Sequence, residues 1–466
     1  MTRSTSLFAN GTTLALLFSL ALSSCQPVEI TSPVSSTRSD ANAKLSAGTD
    51  YIDGELLVQF KEGASDDVKQ KALDKVQGKS IEKILTKAME KAGEKEGLTL
   101  VKVSKDVLEA VADLSNTDGI EFAEPNYIYQ HMAYTAPTDS YFANGSLWGM
   151  YGPSTTPTNQ FGSNAAAAWS AGRTGSASVF VGVIDEGIQY THPDLNSQIW
   201  TNPGDNTFDN VDNDGNGYVD DVHGWDFANN DATVYDGTGE LDDHGTHVAG
   251  TIGAENDGSG VVGVNWNVTM ISAKFLGANG GSLANAIKAI DYLTNLKTGP
   301  KKLNIVASNN SWGGGSYSQA LEAAIARANA QNILFVAAAG NSGTNNDRRA
   351  SYPSNYDVPN VIAVAAIDRT GALASFSQYG AKTVDLGAPG VGVWSTTAPG
   401  IYSSYNGTSM ATPHVTGAVA LYASVHPGAS AATIKNAILL SAVPTPSLNR
   451  KTVTGGRLDA NAALSR

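Results

Sequence analysis

The sequence contains a single cysteine, Cys25, so no internal disulfide can brace the chain, and outside a cell its stability would rest on packing and bound ions. Basic residues are also scarce, with 30 Lys and Arg against 44 Asp and Glu, a net charge of −14 and a pI near 4.9. That balance excludes nucleic acid as a partner, because binding to phosphates needs a basic face. The apolar run from Leu14 to Leu22 is too short for a permanent membrane helix, which takes roughly 20 residues. What is abundant points elsewhere. Forty-eight glycines, 17 prolines and 41% hydrophobic residues describe a loop-rich globular protein, not a coiled coil or a disordered chain.

At 466 residues the chain exceeds what one core usually organises, and it reads as two folded units behind a leader. Arg3, the apolar run and Leu22-Ser23-Ser24-Cys25 make an export signal over 1–25. Its end resembles the bacterial lipobox, whose cysteine is lipidated, so the resemblance implies lipidation at Cys25. Residues 26–48, rich in Ser, Thr, Pro and Ala, read as a flexible tether. Residues 49–132 read as a small α+β unit: strand Glu55 to Phe60, helices Asp66 to Gln77 and Ser80 to Glu96, strand Leu98 to Val103, helix Lys105 to Leu114, strand Ile120 to Tyr129. Its lysines lie beside Glu at helical spacing, as on a solvated helix face. A junction and N-terminal arm without clear periodicity fills 133–159. From 160 to 466, near-continuous apolar strands alternate with amphipathic helices, which predicts an α/β domain with a parallel sheet covered on both faces and active residues at the strands' carboxyl ends.

Three segments carry candidate chemistry. Asp185 follows the apolar strand ending at Ile184, His244 opens His244-Gly245-Thr246-His247-Val248-Ala249-Gly250, and Ser409 lies in Gly407-Thr408-Ser409-Met410-Ala411-Thr412-Pro413. Each alone reads as easily as a turn aspartate, a structural histidine or a helix cap. Together, in this order, they resemble the Asp, His and Ser motifs of the subtilase family over roughly 160–466. The resemblance implies a subtilisin-like α/β fold and a serine endopeptidase: His244 as general base, Asp185 orienting it, Ser409 as nucleophile and His247 packing inside the helix. It implies Asn341, in Ala339-Gly340-Asn341-Ser342-Gly343, as the oxyanion donor. Ser311, Trp312, Gly313 and Gly314 resemble the substrate-aligning edge, with Gly280 and Gly281 opposite and Ala338 and Gly340 lining the specificity pocket. Trp312 stands where a smaller aliphatic residue is common. The α+β unit, ending Glu121-Phe122-Ala123-Glu124-Pro125-Asn126-Tyr127, resembles the family's propeptide, a ferredoxin-like inhibitor and folding template that the enzyme removes from itself.

Between Asp205 and Asp243 the sequence is crowded with acids and has no Lys or Arg. Asp212, Asp214, Asn216, Asp220 and Asp221 match the first half of a calcium loop, although His223 falls where the closing Glu would stand. Asp194 resembles a second calcium position of subtilases. Calcium is thus expected as a structural ion, with no cofactor for catalysis. The expected partners are protein or peptide substrates and the chain's own propeptide, with the membrane reached only through a lipid anchor. The expectation is an extracellular or envelope-bound monomer. A catalytically silent binding or calcium-dependent adhesion protein that keeps the fold is the second reading. An esterase is the third, opposed by the absence of a Gly-x-Ser-x-Gly elbow and by the Asp, His, Ser order.

Overall fold

The computed structural model describes residues 51–127, 136–237 and 242–466. The leader, the tether, Cys25 and the end of the α+β unit past Tyr127 lie outside the described residues. Two compact units meet in the chain at His131 and Met132.

The N-terminal unit runs β1 (Tyr51–Phe60), α1 (Asp66–Lys75), β2 (Gly78–Ile84), α2 (Lys87–Lys91), β3 (Leu98–Val103), α3 (Val107–Ser115) and β4 (Ile120–Tyr127). The strands pair antiparallel in the order β2-β3-β1-β4, the ferredoxin-like arrangement. Alternate residues Leu56, Val58 and Phe60 of β1 face Ala72 and Leu73 of α1 and Val107, Ala110 and Leu114 of α3, so strand period and helix period meet on one small core. Ser65 and Asp106 cap the two helices by accepting the amides of Val68 and Glu109. The helix expected over Ser80 to Glu96 is not formed. Its first part is β2, an edge strand paired from Gly78↔Val103 to Ile84↔Leu98, and only Lys87–Lys91 is helical. The edge leaves Lys79, Glu82 and Lys83 exposed, and a strand with no buried alternation looks like a solvated helix in sequence.

The C-terminal unit begins with α4 (Ser140–Ala143) and α5 (Ala165–Ser170), then β5 (Gly175–Asp185), β6 (Gly224–Asp226), α6 (Asp243–Gly253), β7 (Asn267–Lys274), α7 (Leu283–Thr298), β8 (Ile305–Asn310), α8 (Gln319–Ala330), β9 (Leu334–Ala338) and β10 (Val361–Ile367). It ends with β11 (Leu386–Pro389), β12 (Val393–Thr397), β13 (Ile401–Tyr405), α9 (Thr408–Val425), α10 (Ala431–Leu440), β14 (Val443–Pro444), β15 (Gly456–Arg457) and α11 (Ala460–Ala463). Nine strands make one sheet, ordered β14-β15-β11-β10-β9-β8-β5-β7-β6, parallel except for β14. Val181 and Val183 of β5 point to a core shared with α6, α9 and α10, while Ile184 belongs to the core under α7 and α8. Both faces of the sheet are therefore dry, which is why its strands read as continuous apolar runs.

The arm before Thr158, which has no period to read, is anchored by aromatic side chains instead. Phe142, Trp148, Met150 and Tyr151 are buried in the α6 and α9 core, and Trp148 Nε1 donates to Val391 O at 3.0 Å.

One contact sets how β5 and α6 meet. A Cβ on Gly245 would lie 2.1 Å from Gly187 O, so the turn after β5 and the first turn of α6 touch backbone to backbone. Gly245→Ala is expected to destabilise the C-terminal unit by about 1–3 kcal/mol, since a carbonyl wall cannot step aside like a side chain. A lower denaturant midpoint, measured in a Ser409→Ala background to prevent self-digestion, checks this.

Candidate active site

Asp185 is the last residue of β5, the third strand from the β6 edge of the sheet, and its side chain is 0% exposed. Its Oδ1 accepts the Glu186 amide at 2.9 Å and His244 Nδ1 at 2.8 Å. With Nδ1 as the donor, the neutral imidazole leaves Nε2 free to accept a proton. Burial works against the imidazolium, but the charge and hydrogen bond of Asp185 outweigh it, Glu186 adds to them, and His244 is pushed up to about 9. His247, one turn on, is fully buried and stacks on Tyr405 with centroids 4.6 Å apart. Burial holds it down to about 3, a packing histidine that stays neutral.

Ser409 is the second residue of α9, a helix that packs against α6. Pro413 is the sixth residue of α9, past its first turn, so the Ser409 carbonyl four residues back has no helical amide to accept and is met by the Ser311 hydroxyl instead. Ser409 Oγ donates to Ser311 O at 3.1 Å, and Ser311 Oγ donates to Ser409 O at 2.8 Å. No hydrogen bond joins Ser409 to His244 in this rotamer; such bonds commonly tighten only when substrate is bound.

Asn341 follows β9 by three residues, and its amide is oriented by its neighbours. Its Oδ1 accepts both the backbone N–H and the hydroxyl of Thr408, at 2.9 Å each, which turns Nδ2 outward beside Gly407. The Ser409 amide lies in the first turn of α9, where it has no acceptor within the helix. Ser311, Trp312, Gly313, Gly314, Ala338, Gly340, Asn341 and Ser409 line one cavity of about 650 Å³. Trp312 lines the cavity and packs edge-on against Phe275, with ring centroids 4.8 Å apart. Gly280 and Gly281, between β7 and α7, lie outside the cavity, with Gly281 packed against Phe275.

The carboxylates of the acidic insert accept from nearby amides and side chains. Asp212 accepts the amides of Asn216 and Gly217, Asp214 that of Asn216, and Asp220 those of Asp209 and Asn210. Asp221 accepts Tyr292 Oη at 2.7 Å and Asn216 Nδ2 at 2.9 Å, while Lys301 Nζ donates to Asp214 and Asn202. Alternating acids close local turns in this way as readily as they hold a cation, and sequence spacing cannot separate the two. Among the described residues no group of three or more His, Cys, Asp or Glu side chains is placed to share a metal ion.

Asp194 has a different setting. It is fully buried, and its carboxylate accepts Tyr402 Oη at 2.8 Å and Val261 N at 2.9 Å. Asp139, which sequence reasoning passed over, is also 0% exposed, and neither of its carboxylate oxygens has a hydrogen-bond partner. Burial pushes both carboxyls up to about 6, with the charge of Asp257 raising each further, so both border the 255–261 loop. Asp139 sits in the arm, where nothing local marks it. Glu186, also passed over, could have been found as the residue adjoining Asp185.

Residues 176–460 match the profile of the Subtilase family, and residues 37–126 that of the Fervidolysin N-terminal prodomain. The chain is 34% identical over 390 residues to the "Thermophilic serine proteinase" of Bacillus sp. (strain AK1), covering 83% of this chain and 82% of that protein. It is 39% identical over 286 residues to "Subtilisin Savinase" of Lederbergia lenta, covering 61% of this chain and 90% of the relative. A solved structure of a protease from Pseudoalteromonas arctica PAMC 21717 superposes with a TM-score of 0.58 at 27% identity, covering 71% of this chain and 99% of the other. With half its length and more inside the family's domain, and a prodomain ahead of it, this chain belongs to the subtilase family of serine proteases.

Proposed function

We propose that the chain is an exported endopeptidase, made as a precursor that processes itself, with Ser409, His244 and Asp185 as its catalytic triad. The reading is supported above all by the bond from His244 Nδ1 to a buried carboxylate at a strand end, together with Ser409 and Asn341 lining one cavity. A peptide added as a strand along Ser311 to Gly314, with Gly280 and Gly281 on its other side, would present its carbonyl to Ser409 Oγ. His244 Nε2 takes the hydroxyl proton as Ser409 Oγ bonds to the scissile carbonyl carbon, and returns it to the leaving amine as the C–N bond breaks. Asp185 fixes the tautomer of the ring and favours the imidazolium that forms. The developing oxyanion accepts from Asn341 Nδ2 and from the Ser409 amide, and a side-chain donor of this kind is worth about 10²–10³ in turnover. A water activated by His244 then releases the acyl group.

The prodomain supports a zymogen: a large parallel sheet folds slowly, and a template that also inhibits the enzyme serves both needs. Wild-type chain is expected to lose roughly residues 26–135 and digest casein, whereas Ser409→Ala accumulates at full length and is inert. Mass spectrometry of the expressed chains checks both, and self-processing by the mutant would remove Ser409 from its role.

For calcium, the donor chemistry favours Asp139 and Asp194 over the acidic insert. A buried carboxylate with two unpartnered oxygens is costly unless a cation joins it, and carbonyls of the 255–261 loop could complete a hard, oxygen-rich shell with these two side chains. The ion would tie the arm to that loop. Chelation should then lower the thermal midpoint of the mature enzyme, Asp139→Asn should abolish that response, and Asp214→Asn should leave it in place. Differential scanning calorimetry with and without EDTA separates these outcomes.

The leader supports export, and its lipobox-like end supports attachment at Cys25. No helix among the described residues is long and apolar enough to cross a membrane. Cys25→Ser is expected to move the protease from the membrane fraction to the medium, read by immunoblot of the two fractions.

A further inference from the structure

Two consecutive carboxylates hold His244, and only the first belongs to the proton relay. Asp185 Oδ1 accepts the ring at Nδ1, while Glu186 Oε1 accepts the backbone N–H of the same residue at 2.6 Å. The second bond anchors the first turn of α6, whose N-cap residue Asp242 makes no side-chain cap bond. The backbone contact of Gly187 with Gly245 holds the two segments at this distance.

The charges around Glu186 are unevenly neutralised. From β7, Lys274 Nζ donates to the carbonyl oxygen of Glu186 at 2.5 Å, but its charge is paired with Asp242 at 2.5 Å and Asp236 at 2.8 Å. From α6 come Asp242, Asp243 and His244, and from the end of β13 the Tyr405 hydroxyl, which donates to Asp243 Oδ2 at 2.9 Å. Among the described residues no lysine or arginine reaches the Glu186 carboxylate, so His244 is the nearby group whose positive charge it can favour.

We propose that Glu186 is a positioning residue that anchors the start of α6 and, as a second anion beside His244, sets the pH at which the imidazole becomes a usable base. This rests on the reading of His244 as general base. Burial, with Asp185 adding to it, pushes the Glu186 carboxyl up to about 7, so its own charge is lost within the acidic half of the working range. Ionised Glu186 stabilises the imidazolium, which delays the appearance of the neutral base to higher pH. Because the two groups titrate together, the acid limb of the wild-type profile should be broader than a single ionisation.

The test is kcat/KM against pH on an uncharged chromogenic peptide, for wild type, Glu186→Gln and Glu186→Asp. Glutamine keeps an acceptor for the His244 amide and removes the charge. Its acid limb is expected to narrow and to move about 0.5–1 pH unit lower, a threefold to tenfold gain relative to its own plateau at a pH on that limb. Aspartate keeps the charge and should keep the limb near the wild-type position. A limb that stays in place with glutamine, or that moves equally with both substitutions, overturns the proposal. Failure of the underlying reading would look different: His244→Ala would then retain wild-type kcat/KM across the profile.

Discussion

The backbone contact between Gly187 and Gly245 is the constraint on which the site depends. It lets a helix begin directly against the end of an interior, buried strand, and so sets an imidazole on a carboxylate that water does not reach. A parallel sheet with helices on both faces offers such places only at the carboxyl ends of its strands, where loops are free to vary. β5 supplies Asp185, β8 leads into Ser311, and β9 leads into Asn341. The N-terminal turns of α6 and α9 bring the histidine and the serine to the same edge. Conformational entropy is met by a core far from the chemistry, and the chemical groups inherit that rigidity.

Buried charge is managed in three ways in this unit. Lys274, 1% exposed, is surrounded by two aspartates and a carbonyl, a closed arrangement in which each group has a partner. The acidic insert spreads its carboxylates over local amides and Lys301, so its high charge density is satisfied in short loops. Asp139 and Glu186 differ from both, since each is a carboxyl raised by burial and left without a basic side chain among the described residues. Such groups are the ones most open to a proton or a cation.

The helix expected over Ser80 to Glu96 and the arm with no period to read share a cause. In each case a long-range partner decided the structure: pairing with β3 for the first, and insertion of Phe142, Trp148 and Tyr151 into the main core for the second. A window of sequence holds no record of either. In the acidic insert, alternating acids support turn closure and ion binding alike.

By itself the sequence determined which segments form the dry strands and the helices, because a sheet covered on both faces imposes unbroken apolar runs that local reading detects. It also marked the stretches holding Asp185, His244, Asn341 and Ser409, whose small residues are needed wherever backbone meets backbone. The tertiary structure alone decided that Glu186 reaches the His244 amide, that Thr408 turns the Asn341 side chain, and that Asp139 is sealed off beside the 255–261 loop. Those relations join residues far apart in the chain through distances of a few ångströms, and the folding of the whole sheet is what brings them about.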